Sequence, residues 1–220
     1  PEKTYGFGDY HMGGLMDNIN LTESVEYAED TNEVRLDEER LAYEVNSRQS
    51  EWIFSDFDRL FEMAAEAVGS SRKSYDIFGH SAGGQILHRF VIFYPRSKAD
   101  RILASNSGFY TLPNFNEELP FGLKNAPLDE DRVKASFEKC LVLLIGELDN
   151  ANETGGLMLR SPTVDEQGIG RLARSKYFYR SSKTAANDLG ARFNWKLEIV
   201  PNIGHDHVRM SAAAAEYLYE

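Results

Sequence analysis

The sequence predicts an α/β protein: a mostly parallel sheet with helices on both faces. Three observations predict it. Strand-like and helix-like segments alternate from about Glu51 to the end of the chain. The strand-like runs are almost continuously apolar, as in "LVLLI" at Leu141 to Ile145, which suits a sheet buried on both sides. With 220 residues, 42% of them hydrophobic, the chain can bury one sizeable core, so residues 1–220 are read as a single domain.

Taken in order, Pro1 to about Leu21 is rich in Gly, Asp and Asn and reads as loop, and Thr22 to about Arg40 is acidic with no clear apolar period. From Glu51, the residues Trp52, Phe54, Phe57, Leu60, Phe61, Ala64 and Val68 recur near helical spacing, giving an amphipathic helix that ends before Gly69. Strand "YDIF" (Tyr75 to Phe78) leads to a helix from about Ala82 to Tyr94, stopped by Pro95. Strand Arg101 to Ser107 leads through an irregular, proline-containing stretch to a short helix near Leu128 to Phe137. Strand Cys140 to Gly146 is followed by a polar loop and a helix from about Gly170 to Leu189. Strand Trp195 to Pro201 is followed by a last helix from about Val208 to Tyr219.

Composition excludes several function classes. A formal charge of −11 argues against nucleic acid and anionic membrane surfaces, which bind through clustered Lys and Arg. No run approaches the roughly 18 apolar residues of a membrane span, and no basic-apolar signal segment opens the chain. The single Cys140 rules out an intramolecular disulfide, reads as a buried thiol, and leaves the compartment open. Oligomeric state is likewise not written in the sequence.

One stretch carries chemistry. Gly79-His80-Ser81-Ala82-Gly83 has the form G-x-S-x-G between a predicted strand and a predicted helix. A sharp strand-to-helix turn strains the serine and requires its flanks to lack side chains, which Gly79 and Gly83 satisfy, while Ala82 and Gly84 keep the surroundings small. Ser81 then stands at a helix start, where free N–H groups favour developing negative charge. A glycine-rich anion-binding turn is the alternative, but no Gly-Lys-Ser/Thr follows as in a phosphate loop.

A serine nucleophile needs a base, and the base an orienting acid. His80 adjoins the serine and is expected to diverge from it and bond locally; His88 lies two turns along the helix; His11 sits in a Gly-rich loop. That leaves "VPNIGHDH", where His205 directly follows the last strand, with His207 as runner-up. A metal site built on "HDH" lacks ligands at recognisable spacing. For the acid, Asp149 in "LLIGELDN" reaches further into its loop than Glu147, and Asp206 reads as a surface charge.

"GHSAGG", "GELD" and "GHD", in this order, resemble the α/β-hydrolase superfamily. The wider strings "FGHSAGGQILHRFVIFYP", "SNSGFYTLPNF" and "VPNIGHDHVRM" are similar to bacterial serine hydrolases described as esterases or polyhydroxyalkanoate depolymerase-like proteins, over about Trp52 to the end. The resemblance implies Ser81 as nucleophile, Asp149 as acid, His205 as base and the Ala82 N–H as one oxyanion donor. It implies no cofactor and no metal. The second oxyanion donor would come from a loop after an early strand; "YHMGG" (Tyr10 to Gly14) has the residue types but not the expected place. The chain opens at Pro1 without methionine, and early strands of such a fold are expected to lie upstream or to be altered.

Members of the superfamily carry a cap over the pocket, here expected as a short aromatic segment at about 109–138 containing Phe109, Tyr110, Pro113, Phe115 and Phe121. His80, Phe109 and Tyr110 are the candidate substrate-binding residues. Arg160, Arg171 and Arg174 are weighed for a substrate carboxylate, against a reading as a loop tied down by salt bridges. The expected activity is serine hydrolysis of a small-molecule or polymer ester, with two rivals. One is an amidase or peptidase using the same residues, and the other is a non-catalytic binding protein of the same fold.

Overall fold

The computed structural model describes residues 7–220, with side chains from Tyr10 onward. The first part of the chain departs from expectation. Where a loop was expected, α1 (Phe7–Met12) and β1 (Met16–Asp17) form, and residues 1–6 of that expected loop lie outside the described part. The stretch without apolar period holds α2 (Leu21–Ser24), β2 (Val25–Tyr27) and β3 (Glu33–Leu36), followed by β4 (Glu44–Val45). These strands run two to four residues, too short for a period to stand out in sequence. β1 pairs with β4, and β2 pairs antiparallel with β3.

From α3 (Phe54–Ala67) the elements follow the predicted alternation: β5 (Tyr75–His80), α4 (Ala82–Phe93), β6 (Ala99–Ser105), α5 (Glu130–Phe137) and β7 (Cys140–Gly146). The polar loop expected after β7 contains β8 (Met158–Arg160) and α6 (Pro162–Glu166). β8 joins β3 in parallel, so it completes the small sheet β2-β3-β8. α6 starts on Ser161, whose hydroxyl accepts the Val164 N–H, with Pro162 at the first helical position. Then come α7 (Arg171–Asp188), β9 (Lys196–Val200) and α8 (His207–Tyr219).

β5, β6, β7 and β9 form a parallel sheet in that order. Alternation along the strands divides its faces. Leu103, Val142 and Leu144 pack with Met210 and Ala214 of α8, whereas Ile102, Ala104, Leu141 and Leu143 join the larger core with α4, α5 and α7. Helices thus cover both faces, as predicted. α3 buries Phe54 but leaves Leu60 and Val68 exposed, because its inner stripe runs instead through Phe57 on Phe90 and Phe61 on Tyr75. The register opposes His80 to Ser105, Ser105 to Leu144 and Gly146 to Val200, so the segments leaving four strands emerge at one edge.

Candidate active site

Ser81 sits between β5 and α4 with φ 58° and ψ −113°, a left-handed conformation that a serine holds only under strain. Two glycines permit the turn. A Cβ at Gly79 would lie 2.5 Å from the Gly83 carbonyl oxygen, and one at Gly84 would lie 2.4 Å from the Ser105 carbonyl oxygen. Gly83 itself faces open space, so the close approach of helix to sheet depends on Gly84 rather than on Gly83. The Ser81 N–H bonds the Ser105 carbonyl at 2.8 Å, pinning the elbow to β6. Ala82 opens α4, where an N–H has no partner within its own helix.

The segments leaving β7 and β9 bring two further side chains to Ser81. His205 Nε2 lies 3.1 Å from Ser81 Oγ, and His205 Nδ1 lies 2.8 Å from Asp149 Oδ2. An ionised carboxylate only accepts, so Nδ1 carries the proton and Nε2 presents its lone pair to the serine. Glu147 is placed elsewhere: exposed beyond β7, it accepts the Asn202 N–H at 3.0 Å. His207 is exposed at the start of α8, and Asp206 caps that helix by accepting the Val208 and Arg209 N–H groups.

Asp149 is fully buried. Burial pushes its carboxyl up, but the His205 hydrogen bond, the charge of Arg171 and the Asn106 amide outweigh that and hold it below the usual carboxylate value. Arg171 Nη1 donates to Oδ1 at 2.9 Å, and Asn106 Nδ2 donates to Oδ2 at 2.6 Å. Arg171 also donates to the Gly155 and Leu157 carbonyls, tying the loop after β7 to the acid. That loop holds the histidine as well. Glu153 Oε2 accepts the His205 N–H at 2.7 Å, and Gly156 packs so closely that a Cβ there would lie 2.6 Å from His205 Cδ2.

His80 packs its ring 4.6 Å from that of His205 and bonds Ser105 Oγ at 3.3 Å, while Ser105 donates to Asn106. Burial first, and then the neighbouring His205, lower its pKa to about 4, so this ring is neutral at ordinary pH. Asn106, Glu153, Gly156 and the Arg171–Asp149 pair escaped sequence reasoning. The only signal was the position of "SNS" at the carboxyl end of a predicted strand.

Ser81 and Ala82 open onto a cavity of about 700 Å³. Its walls come from residues 11–41 and from Leu157 and Leu159, with Phe109 and Pro120 the contribution of the segment 109–138. The cover over the site is therefore mainly N-terminal. Phe109 and His80 line this cavity; Tyr110 does not, since it is fully buried with its hydroxyl 2.7 Å from Ser175 Oγ and its ring stacked on Phe178. His11 and Met12 of "YHMGG" line the same cavity as Ser81. Arg171 and Arg174 are fully buried against carbonyls and carboxylates, and Arg160 pairs with Asp165 and Glu33, so these arginines tie loops together. Among the described residues, no group of three or more His, Cys, Asp or Glu is placed to hold a metal ion, and no helix is long and apolar enough to cross a membrane.

No family model matches the chain, and no curated protein sequence does. Solved structures do. Poly(aspartic acid) hydrolase-1 from Sphingomonas sp. KT-1 matches with a TM-score of 0.78 and 33% identity, covering 98% of this chain and 72% of its own. LpqC, a poly(3-hydroxybutyrate) depolymerase from Bordetella parapertussis, matches with a TM-score of 0.77 and 27% identity, over 97% of this chain and 64% of its own. The sheet, the strained serine turn and this identity to a hydrolase along nearly the whole chain agree: the chain belongs to the α/β-hydrolase family.

Proposed function

We propose that this chain is a serine hydrolase that cleaves carboxylic esters through an acyl-enzyme on Ser81. The observation that carries the reading is the unbroken hydrogen-bonded line from Ser81 Oγ through His205 to Asp149, with the serine strained at a helix start. Ser81 Oγ attacks the ester carbonyl carbon while its proton passes to His205 Nε2. The carbonyl electron pair moves onto oxygen, and the Ala82 N–H faces that charge. Collapse expels the alcohol, which takes the proton from His205. Water, deprotonated by the same nitrogen, then attacks the acyl carbon, and as the bond to Ser81 Oγ breaks the proton returns from His205 to that oxygen, releasing the acid. Asp149 holds the imidazole tautomer and stabilises the imidazolium.

An uncharged substrate is favoured by the pocket, whose described walls carry no Asp, Glu, Lys or Arg, and by the chain's charge of −11, which repels a polyanion such as poly(aspartic acid). The test is hydrolysis of simple esters by the protein and its Ser81→Ala variant. Loss of activity in a folded variant is expected. Retention of more than a few per cent removes Ser81 from the mechanism.

A further inference from the structure

We infer that the cavity beside Ser81 is an acyl-chain site, built for an uncharged aliphatic acyl group of medium length; this inference rests on the hydrolase reading above. Its size, about 700 Å³, falls within the range of ligand pockets. Among the described residues its lining contains no Asp, Glu, Lys or Arg, in a chain with 27% charged residues. Met12, Met16, Val34, Leu36, Phe109 and Leu159 face it, and its polar lining is confined to uncharged groups and to His11 and His80, so recognition rests mainly on apolar area and shape.

These walls are fixed in place. Met16 lies in the β1–β4 pair, Val34 opposes Leu159 across β3 and β8, and Leu36 is 8% exposed. The guanidinium of Arg89 lies 5.0 Å from the Phe109 ring centroid, fully buried and held by Thr111 and the His11 and Gln85 carbonyls, and it does not line the cavity.

The position of the cavity relative to the reacting groups decides which half of the ester it takes. Ser81 and Ala82 line it, whereas His205 and Asp149 do not. The leaving alcohol must sit against His205 to receive its proton, so the group that remains bonded to Ser81 extends into the cavity. Tyr27 and Leu157, which also line it, are 66% and 53% exposed and form an apolar rim where a chain would enter.

The test is a panel of p-nitrophenyl esters from acetyl to decanoyl, with ethyl octanoate and octyl acetate as a matched pair and a p-nitrophenyl half-ester of an eight-carbon dicarboxylic acid. We expect kcat/KM to rise about fourfold for each of the first several methylenes, hence at least about 100-fold from acetyl to octanoyl. Ethyl octanoate should outrun octyl acetate, and the terminal carboxylate should cost at least about tenfold against octanoyl. Val34→Phe should lower the octanoyl-to-acetyl ratio by about tenfold or more. A flat series, a preference for acetyl, or faster cleavage of octyl acetate overturns the acyl-chain assignment and leaves the hydrolase standing. Failure to cleave any ester overturns both.

Discussion

Replacing Arg171 by methionine tests whether the buried ion pair organises the site. The guanidinium is fully buried and donates to Asp149 Oδ1 at 2.9 Å, to the Gly155 carbonyl at 3.3 Å and to the Leu157 carbonyl at 2.7 Å. Methionine keeps much of the volume but leaves a buried carboxylate without its cation, a change that costs about 3–5 kcal/mol. In a chain of this size each kcal/mol moves Tm by about 2–4 °C, so Tm should fall by about 6–20 °C. The pH dependence follows from the lowered folded-state pKa of Asp149. Its ionisation contributes stability that is present above the unfolded-state value of about 3.9 and is lost as pH falls through the folded-state value. Without Arg171 one of the groups that lower it is gone and the folded-state value rises, so the gap between wild type and variant should be largest near neutral pH and narrow below about pH 4. Thermal melts of both proteins from pH 3.5 to 8, with ester hydrolysis measured well below Tm, provide the assay. A loss under about 1 kcal/mol, or a gap independent of pH, refutes the ion-pair reasoning.

Asp149→Asn should lower kcat by about 10⁴-fold, because an amide oxygen accepts less well from the imidazole and the tautomer can reverse. Glu147→Gln, which touches the Asn202 N–H, should lose less than about tenfold; kinetics on both folded variants separate them, and the reverse ranking moves the acid to Glu147. Gly156→Ala should displace the His205 ring and lower kcat by about 100-fold. Gly190→Ala, at a similar φ of 65° but with open space around its Cβ, shares the backbone strain and should keep its activity; equal losses would assign the effect to strain alone.

Legibility in the sequence tracked how far each feature depends on local pattern. β7 appeared with its bounds intact because Cys140–Gly146 is apolar throughout and buried on both faces from Leu141 on, only Cys140, expected as a buried thiol, being half-buried. Ser81, Asp149 and His205 could be picked out because each follows a parallel strand, and the structure brings those three side chains together. The small sheet was not legible: β3 shows only Val34 and Leu36 as inward residues, and its partner β8 lies over 120 positions away. The pocket wall was misplaced for the same reason, since the aromatic residues of 109–138 drew attention while the scattered Met12, Met16 and Leu36 formed the wall. Asn106 and Arg171 look like ordinary polar residues until the fold sets them against Asp149. Gly84 took the role expected of Gly83 because packing against β6, which sequence does not show, decides which glycine is needed.

In the proposed mechanism Ser81 is the nucleophile, activated by His205. Its most direct measurement is reaction with a fluorophosphonate, followed by mass spectrometry of the digested adduct. One phosphonyl group is expected on the peptide bearing Ser81, absent in Ser81→Ala and formed far more slowly in a folded His205→Ala variant. An unlabelled but folded protein, or an adduct on another residue, would contradict it.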